Sequence, residues 1–367
     1  MKKAPIFGLF FLFILRGLLT PLTAQNPQVF EAPYTLFEDM LSGKRPIDFK
    51  KAVFMVEKAF LEDQLDEQDF EAEIAKLLTI VQARNKYVQI DYTGKDADRI
   101  KLYSCIFKTL TDTTFVKLDG ETLFLLPYRY NFDDMFGQKD WSNVFVSKLL
   151  TTHLGNCHSL PYLYKILCDA LKIPCNLALA PSHIYIKHRS EKLGWYNTEL
   201  TSATFPSDAW LMASAYISLP SIQNGLYMDA LDDKKALTLC VYDLAKNYNR
   251  KYPQNDGVFI IKCCDLALKY FPNSINALML KAETLKQQFK NRNLKLETSN
   301  SKFKTLNSKL EKDPSVSNPK KAEKRLLDEM TSLYAQMHTL GYRAMPKKMY
   351  DDWMASLKKE REKYINK

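Results

Sequence analysis

The chain has 367 residues, of which 46% are hydrophobic and 12% aromatic, so it can bury a large core and is not intrinsically disordered. Its formal net charge of +10 would suit a nucleic-acid ligand. Much of that charge lies in residues 286–325, and no RNA- or DNA-binding motif accompanies it, so we expect a solvated basic face and no nucleic-acid partner.

The first residues have the pattern of a secretory signal peptide. Lys2 and Lys3 precede an apolar stretch, residues 6–19, which ends near small residues that suit a cleavage site. Arg16 interrupts this stretch and leaves it short of the roughly 20 apolar residues of a spanning helix, although a membrane anchor is the alternative. We expect a signal peptide over residues 1–24, export to the periplasm or the extracellular space, and no stable membrane span after its removal.

The next region, residues 25–139, is predicted to be helical with one short hairpin. Apolar residues recur at helical spacing through residues 47–84 and predict a pair of amphipathic helices separated by the acidic stretch 62–69. Residues 113–131 change to a strand pattern, and the LDGET sequence around Gly120 is a hairpin turn signal.

The central segment, residues 140–215, has the order helix, strand, turn, strand. Asn156 can cap a helix whose apolar residues share one face. Two strands are predicted after it, residues 176–188 and residues 194–201, joined by a polar turn over residues 189–193. With its helical flanks this segment predicts an α+β fold.

The remainder of the chain is predicted to be helical. Residues 216–289 contain LALKYFPNSINALMLKAETL, whose helix, Pro-Asn turn and helix resemble a tetratricopeptide-like repeat, with an ordinary helical hairpin as the alternative. Residues 290–321 are rich in Lys, Ser and Asn and predict a mobile linker. Residues 322–367 predict C-terminal helices with a break at residues 341–346.

Cys157 is the candidate nucleophile. It stands in the sequence GNCHS at the predicted start of a helix, where free backbone N–H groups and the helix dipole stabilise a thiolate. A buried core cysteine is the alternative, since cysteine is among the residues most often buried. The chain has seven cysteines, an odd number, so at least one thiol should remain free in a compartment that permits disulfides.

The hairpin after the helix supplies the other two candidates, His183 and Glu199. Residues paired across an antiparallel hairpin have a constant sum of numbers, and these two are symmetric about residue 191, the middle of the predicted turn. We expect them opposite each other on one face, within reach of a hydrogen bond. Cys157 would attack a carbonyl carbon, His183 would take the thiol proton, and Glu199 would orient the imidazole.

These residues resemble the transglutaminase-like superfamily, including its bacterial branch with tetratricopeptide-type helices. The matching segments are LGNCHSLPYLYKILCDALKIPCNLALAPSHIYI and GWYNTELTSATFPSD. In that family a G-x-C motif opens the core helix, a His lies in the next strand, and a Trp precedes the acid by four positions. Gly155 with Cys157, then His183, then Trp195 with Glu199 match those places.

The resemblance implies a core of one helix packed on an antiparallel sheet and thiol chemistry on an amide or peptide bond, without a cofactor. The substrate would be a protein or peptide, and the product would come from hydrolysis or from acyl transfer to an amine. The acid is Glu199 where the family more often has Asp, and Leu200 stands where it has Pro. The alternative is a non-catalytic binding protein in which this core has lost its catalytic activity and serves as a scaffold, while the C-terminal helices bind a peptide.

Two further site features are candidates by residue type. An oxyanion hole would use the backbone N–H of Cys157 and a second donor, for which Trp141 and Gln138 are candidates. His153, Cys157 and His158 could together suggest a zinc site, but zinc needs three or four converging ligands and these straddle the helix start. We therefore predict no metal.

Overall fold

The computed structural model describes residues 27–118, 121–303 and 319–365. The predicted signal peptide, residues 1–24, and the predicted turn at Gly120 lie outside the described residues.

The N-terminal part is an array of four helices. Its second and third helices correspond to the predicted amphipathic pair, joined by a short 3-10 turn in the acidic stretch. The side chain of Asp48 accepts the backbone N–H of Lys51, and Asp66 accepts two N–H groups, so each helix begins at a residue that caps it. The helices are α1 (Glu31–Ser42), α2 (Phe49–Leu61), α3 (Glu67–Tyr87) and α4 (Ala97–Thr111).

Two small sheets follow. Strands β1 (Thr114–Leu118) and β2 (Glu121–Leu125) form the predicted antiparallel hairpin. Strand β3 (Arg129–Tyr130) pairs in parallel with β4 (Leu154–Gly155), and helix α5 (Val146–Thr152) lies between them in sequence. Strand β4 ends two residues before Cys157, so this pairing anchors the chain just ahead of the candidate nucleophile.

The central helix and sheet have the predicted order with one correction. Helix α6 (Ser159–Ala170) is followed by the antiparallel sheet β5 (Asn176–Ala180), β6 (His183–Ser190) and β7 (Gly194–Thr198). The single strand predicted for residues 176–188 is therefore two strands. Ala180 pairs with His183, which leaves Pro181 and Ser182 as a two-residue turn. Proline fixes its own φ, and Ser182 has a φ of 54°, so the chain reverses here instead of continuing.

The C-terminal part is helical to the last described residue. The linker predicted for residues 290–321 is helical over its first part, because α11 extends to Phe303, and residues 304–318 lie outside the described residues. The predicted break at residues 341–346 separates the last two helices. The elements are α7 (Asp208–Ser214), α8 (Leu219–Gln223), α9 (Asp233–Lys251), α10 (Val258–Tyr270), α11 (Ile275–Phe303), α12 (Pro319–Thr339) and α13 (Lys347–Ile365).

Helices α9 to α12 pack on one another in sequence order, and α9 also packs on α1 and α2. Lys281 of α11 forms ion pairs with Asp265 of α10 at 2.7 Å and with Glu329 of α12 at 2.6 Å, which ties three helices together. Gly341 has a φ of 85°, and a Cβ there would lie 2.8 Å from the backbone nitrogen of Ser221, so the turn toward α13 requires glycine.

Helix α6 lies at the centre of the molecule, and every residue from Ser159 to Cys168 is buried. One continuous apolar core surrounds it, with α2, α3 and α4 on its helical side and the sheet β5–β6–β7 packed against it. The fold is α+β, mainly helical with small sheets. Within the part of the chain that the structure describes, none of the helices has the length and apolar character needed to cross a membrane.

Candidate active site

Cys157 lies in the turn that leads into α6, two residues before the first helical residue. The Asn156 side chain accepts the backbone N–H of His158 at 2.9 Å and that of Ser159 at 3.3 Å, so it caps the helix as predicted from the sequence. Cys157 is half-buried, and its own backbone N–H donates to no other described residue. Its thiol contacts the carbonyl oxygen of Ser182 at 3.8 Å. The thiol therefore lies beside the turn between β5 and β6.

His183 and Glu199 form a buried pair. His183 is the first residue of β6, and its Nε2 is 2.6 Å from Oε2 of Glu199. The two residues are only 3% and 1% exposed. The other carboxylate oxygen of Glu199 accepts the backbone N–H of Thr201 at 2.8 Å. Two backbone hydrogen bonds between Glu199 and Thr204 hold the chain at this point, so the carboxylate has a fixed position.

The pairing that brings this pair together differs from the predicted register. Lys187 pairs with Asn197, so the hairpin is centred on residue 192, and Thr201 rather than Glu199 would be opposite His183 in a continued ladder. Glu199 lies just past the end of β7, displaced diagonally by two residues. A shift of two residues keeps a side chain on the same face, and diagonal neighbours remain within reach of long side chains. The predicted contact therefore forms although the predicted register was wrong.

The remaining ring nitrogen of His183, Nδ1, is buried and has no hydrogen-bond partner among the described residues. The thiol of Cys157 lies near the imidazole, because the charge of each group shifts the pKa of the other. One imidazole nitrogen is thus held by the carboxylate, and the other is left for the thiol proton. This arrangement orients a base between a nucleophile and an acid.

The three groups change one another's pKa values. Burial alone would raise the pKa of the Cys157 thiol, but the positive charge of the neighbouring His183 lowers that pKa below its ordinary value. Burial would lower the pKa of His183, but the charges of Glu199 and Cys157 raise it to about 10. The pKa of Glu199 is lowered because its pairing with His183 outweighs burial. Together these shifts favour the thiolate and imidazolium forms over the neutral thiol and imidazole.

All seven cysteines are free thiols in the structure, and Cys157 is the one that is not buried. Burial raises the thiol pKa of five of the others, which keeps them protonated and inert. These five are Cys105, Cys168, Cys240, Cys263 and Cys264. A lowered thiol pKa and a partly exposed position coincide at Cys157.

The last helix, α13, covers the site and was missed by the sequence reasoning. The ring of Trp353 meets the ring of His183 edge to face, with centroids 4.9 Å apart, and Trp353 is only 2% exposed. One turn earlier, Tyr350 stacks on Phe136 at the cleft. Tyr130 of β3 donates its hydroxyl to the sulfur of Met354 at 3.8 Å. A Trp, Tyr and Met at helical spacing were the available signal, but they did not indicate which surface the helix covers.

His158, the residue after Cys157, belongs to a second ion pair. Its Nδ1 lies 2.9 Å from the carbonyl oxygen of Val144, and its Nε2 lies 2.9 Å from Oδ2 of Asp243 in α9. A carbonyl and a carboxylate only accept hydrogen bonds, so both ring nitrogens donate and the ring is an imidazolium. Burial would lower the pKa of His158, but Asp243 raises it. This charge also lowers the pKa of Cys157.

Cys157 and His183 open into a cleft of about 760 Å³. Gln138 and Trp141, the two candidate oxyanion donors, both line it. The Trp141 indole N–H donates to Oδ1 of Asn247 at 2.7 Å, and because tryptophan has a single donor, none is left for an oxyanion. The Gln138 side chain is exposed and makes no hydrogen bond to a described residue. It remains the candidate donor beside the N–H of Cys157.

The zinc alternative does not fit the positions of its residues. His153 stacks on Tyr128 with ring centroids 4.3 Å apart, and its Nδ1 bonds the carbonyl of Leu126. His158 has both ring nitrogens engaged by Val144 and Asp243. In the described ranges, no three His, Cys, Asp or Glu side chains converge as a metal site would require.

Comparison of the chain with protein-family models, with curated proteins and with solved structures found no significant match. Function is therefore inferred from the geometry of the site and from the sequence resemblance.

Proposed function

We propose that the protein is an exported cysteine enzyme of the transglutaminase-like type, acting on amide or peptide bonds through Cys157, His183 and Glu199. The observation that carries the proposal is the 2.6 Å contact between His183 and Glu199 in a buried position. The second ring nitrogen of His183 is left unpaired beside a thiol whose pKa is lowered. The burial of these three residues, the orientation of their side chains and the directions of their pKa shifts all support a catalytic role.

The proposed reaction begins with the thiolate of Cys157. Its sulfur attacks the amide carbonyl carbon and forms a C–S bond, while the carbonyl oxygen becomes an oxyanion near the N–H of Cys157 and Gln138. When the oxyanion collapses, the C–N bond breaks and His183 gives its proton to the leaving amine. The product is a thioester on Cys157. Glu199 stays ionised throughout and holds the imidazole.

The thioester is resolved by a second nucleophile. Water attacking the carbonyl, with its proton passed to His183, releases an acid and makes the enzyme a peptidase or deamidase. An amine attacking in the same way forms a new amide and makes it an acyl transferase. The chemistry needs no cofactor, and the cleft of about 760 Å³ can hold a short peptide segment.

The arrangement of elements supports the family resemblance. Cys157 precedes the central helix α6, His183 begins strand β6 of the antiparallel sheet that packs against it, and Glu199 lies just past the end of the neighbouring strand β7. This is the order that the resemblance predicts. The helices α9 to α12 also follow in sequence, in keeping with the branch that carries tetratricopeptide-type helices.

The experiment is to incubate the mature protein with a mixture of defined peptides at neutral pH and identify the products by mass spectrometry. Cleaved peptides, deamidated glutamine and amine adducts are separate outcomes that assign the reaction. Cys157→Ala should abolish every product, because it removes the nucleophile.

The binding-protein alternative predicts a different result. Peptides would be retained by the protein but recovered unchanged, and Cys157→Ala would retain them equally well. That outcome would contradict the proposed enzyme.

A further inference from the structure

Two cations of α9 lie over one aromatic ring in the wall of the Cys157 cleft. The Nζ atom of Lys246 is 5.8 Å from the centroid of the Trp141 ring, and the guanidinium carbon of Arg250 is 5.7 Å from it. Lys246 and Arg250 are four residues apart, so they are neighbours on one helix face. Both line the cleft that contains Cys157. We call Trp141, Lys246 and Arg250 the basic wall.

The positive charge of the basic wall is not balanced by nearby acids. Neither Lys246 nor Arg250 forms an ion pair with a carboxylate of the described residues. Asp243, one turn earlier on α9, is bound by His158 at 2.9 Å and by the Tyr162 hydroxyl at 2.9 Å. Arg250 donates only to a backbone carbonyl, at 3.4 Å. The acid one turn earlier on the same helix is therefore already bound by two other side chains.

The other two acids that line the cleft are occupied as well. Glu57 accepts the backbone N–H groups of Val146 and Ser147 at 2.6 and 2.9 Å. Asp351 pairs with Lys347 at 2.6 Å. Burial and the charge of Arg250 lower the pKa of Lys246, although Asp243 acts in the opposite direction. Lys246 and Arg250 repel each other and neither forms a direct ion pair with a carboxylate of the described residues, so an anion placed between them would relieve that repulsion.

We infer that the basic wall is a subsite for an acidic side chain of the substrate, so that the enzyme acts on peptides with Asp or Glu close to the amide that Cys157 attacks. This inference rests on the proposed function. The ring of Trp141 would contact the aliphatic part of the acidic residue, and the two cations would hold its carboxylate. The wall also lies beside Gln138, the candidate oxyanion donor, because Arg250 contacts the Gln138 carbonyl.

The test compares two alkylating agents at the same thiol. Iodoacetate is an anion and iodoacetamide is neutral, and each forms a C–S bond with the Cys157 thiolate while iodide leaves. Both rates are followed by mass spectrometry of the peptide that contains Cys157. The rate with iodoacetate divided by the rate with iodoacetamide measures the local attraction for an anion. In the double variant Lys246→Gln, Arg250→Gln this ratio should fall by about tenfold at low ionic strength. Salt at about 0.5 M should remove most of the difference.

A matched control is available on the same helix bundle. Lys234 and Lys269 also lie over a single aromatic ring, that of Tyr270, at 5.8 and 5.3 Å, and neither lines the Cys157 cleft. The double variant Lys234→Gln, Lys269→Gln removes the same charge and should leave the ratio at the wild-type value. The charge-conserving variant Lys246→Arg, Arg250→Lys should also keep a high ratio. It therefore distinguishes the effect of lost charge on the ratio from the effect of a disturbed structure.

A second measurement addresses the peptide directly. Dipeptide aldehydes add to a cysteine thiol, forming a C–S bond while the proton moves to the former carbonyl oxygen, and so protect it from iodoacetamide. An acetylated aldehyde with Glu before the terminal residue should protect Cys157 at roughly tenfold lower concentration than its Gln counterpart. The difference should disappear in the variant Lys246→Gln, Arg250→Gln.

The results separate the two proposals. If iodoacetamide labels Cys157 but the two agents keep the same rate ratio in the wild type and the Gln double variant, the acidic subsite is wrong and the enzyme proposal stands. If neither agent labels Cys157 in the folded protein, both are wrong. An equal loss of ratio in the control variant would also overturn the subsite, since it would reflect net charge alone.

Discussion

Strand β6 carries two buried histidines, and their environments are opposite. His183 begins the strand, is 3% exposed and binds Glu199. His188 lies five residues later on the other face, is 1% exposed, stacks on Tyr103 at 3.8 Å and contacts the Tyr164 hydroxyl at 3.2 Å. Burial lowers the pKa of His188 to about 3, whereas that of His183 is raised to about 10.

These two histidines show that the presence of a carboxylate partner decides whether a buried histidine is charged here. Burial acts in the same direction on both rings, since it disfavours the imidazolium. His183 has a carboxylate partner that outweighs burial, and His188 has only tyrosines, with the charge of Arg99 adding to the effect of burial. At neutral pH His183 is charged and can stabilise a thiolate, while His188 is neutral and serves packing.

The largest effect is expected from His183→Ala. This change removes the proposed proton acceptor, and general acid–base catalysis typically contributes 10²- to 10⁴-fold, so kcat/KM should fall by about 10³-fold. The measurement is turnover of whichever peptide the product screen identifies. A fall of less than about tenfold would mean that His183 is not the base.

A smaller loss is expected from Glu199→Gln. The amide can still bond the ring, but it removes the negative charge that holds the pKa of His183 high. Turnover should fall by roughly 10²-fold, because the imidazole of His183 would be held less firmly and would be less often protonated. The pH at which Cys157 becomes reactive should rise. An unchanged pH profile would contradict the role of the carboxylate.

The same variant tests the pair through its effect on stability. The folded pKa of His183 is raised above 6.5, so its stabilising contribution is complete below pH 6.5 and is lost as pH rises through about 10. The folded pKa of Glu199 is lowered from 4.5, so its contribution is complete above that pH and is lost as pH falls through the lowered value. The difference in unfolding free energy between wild type and Glu199→Gln should therefore be largest between pH 4.5 and 6.5.

Trp353→Ala should have an intermediate effect, because it opens the cover over His183. Loss of a large buried aromatic side chain costs about 3 kcal/mol, which thermal unfolding would detect. Water would reach the His183–Glu199 pair and weaken it. A shift of about one unit in the pKa of His183 corresponds to about 1.4 kcal/mol, so turnover should fall roughly tenfold. Trp353→Phe is the control: it keeps a ring over His183 and removes an indole N–H that has no partner among the described residues. It should retain turnover within about threefold.

The smallest effect is expected from His188→Phe. A phenyl ring can keep the stacking on Tyr103, and only the contact with the Tyr164 hydroxyl is lost. Stability should fall by about 1 kcal/mol and turnover should stay within about threefold. A loss of activity comparable with that of His183→Ala would remove the contrast between the two histidines.

Much of this site could be predicted because it depends on local rules. A cap at Asn156 fixes the start of a helix, and alternation along a strand fixes which side chains share a face. The contact between His183 and Glu199 was predicted although the predicted partner of His183 was wrong by two residues, since a shift of two residues keeps a side chain on the same face. The strand break at Pro181 and Ser182 was missed, although the proline was a signal for it.

The cover over the site could not be predicted in the same way. Trp353 lies 170 residues after His183 in the sequence, and helical periodicity shows that a helix has an apolar face without showing what that face contacts. The engagement of Trp141 by Asn247 is also a contact between distant segments. Such contacts depend on how helices pack, which a single sequence does not specify.

The most direct test of the central claim is the pH dependence of iodoacetamide alkylation at Cys157, mapped by mass spectrometry in the folded wild type and in His183→Ala. We predict that wild-type Cys157 alone among the seven cysteines reacts, with a midpoint well below the roughly 8.5 of an ordinary thiol. In His183→Ala the midpoint should rise toward or above that value. An inert Cys157, or the same midpoint in both proteins, would contradict the proposed triad.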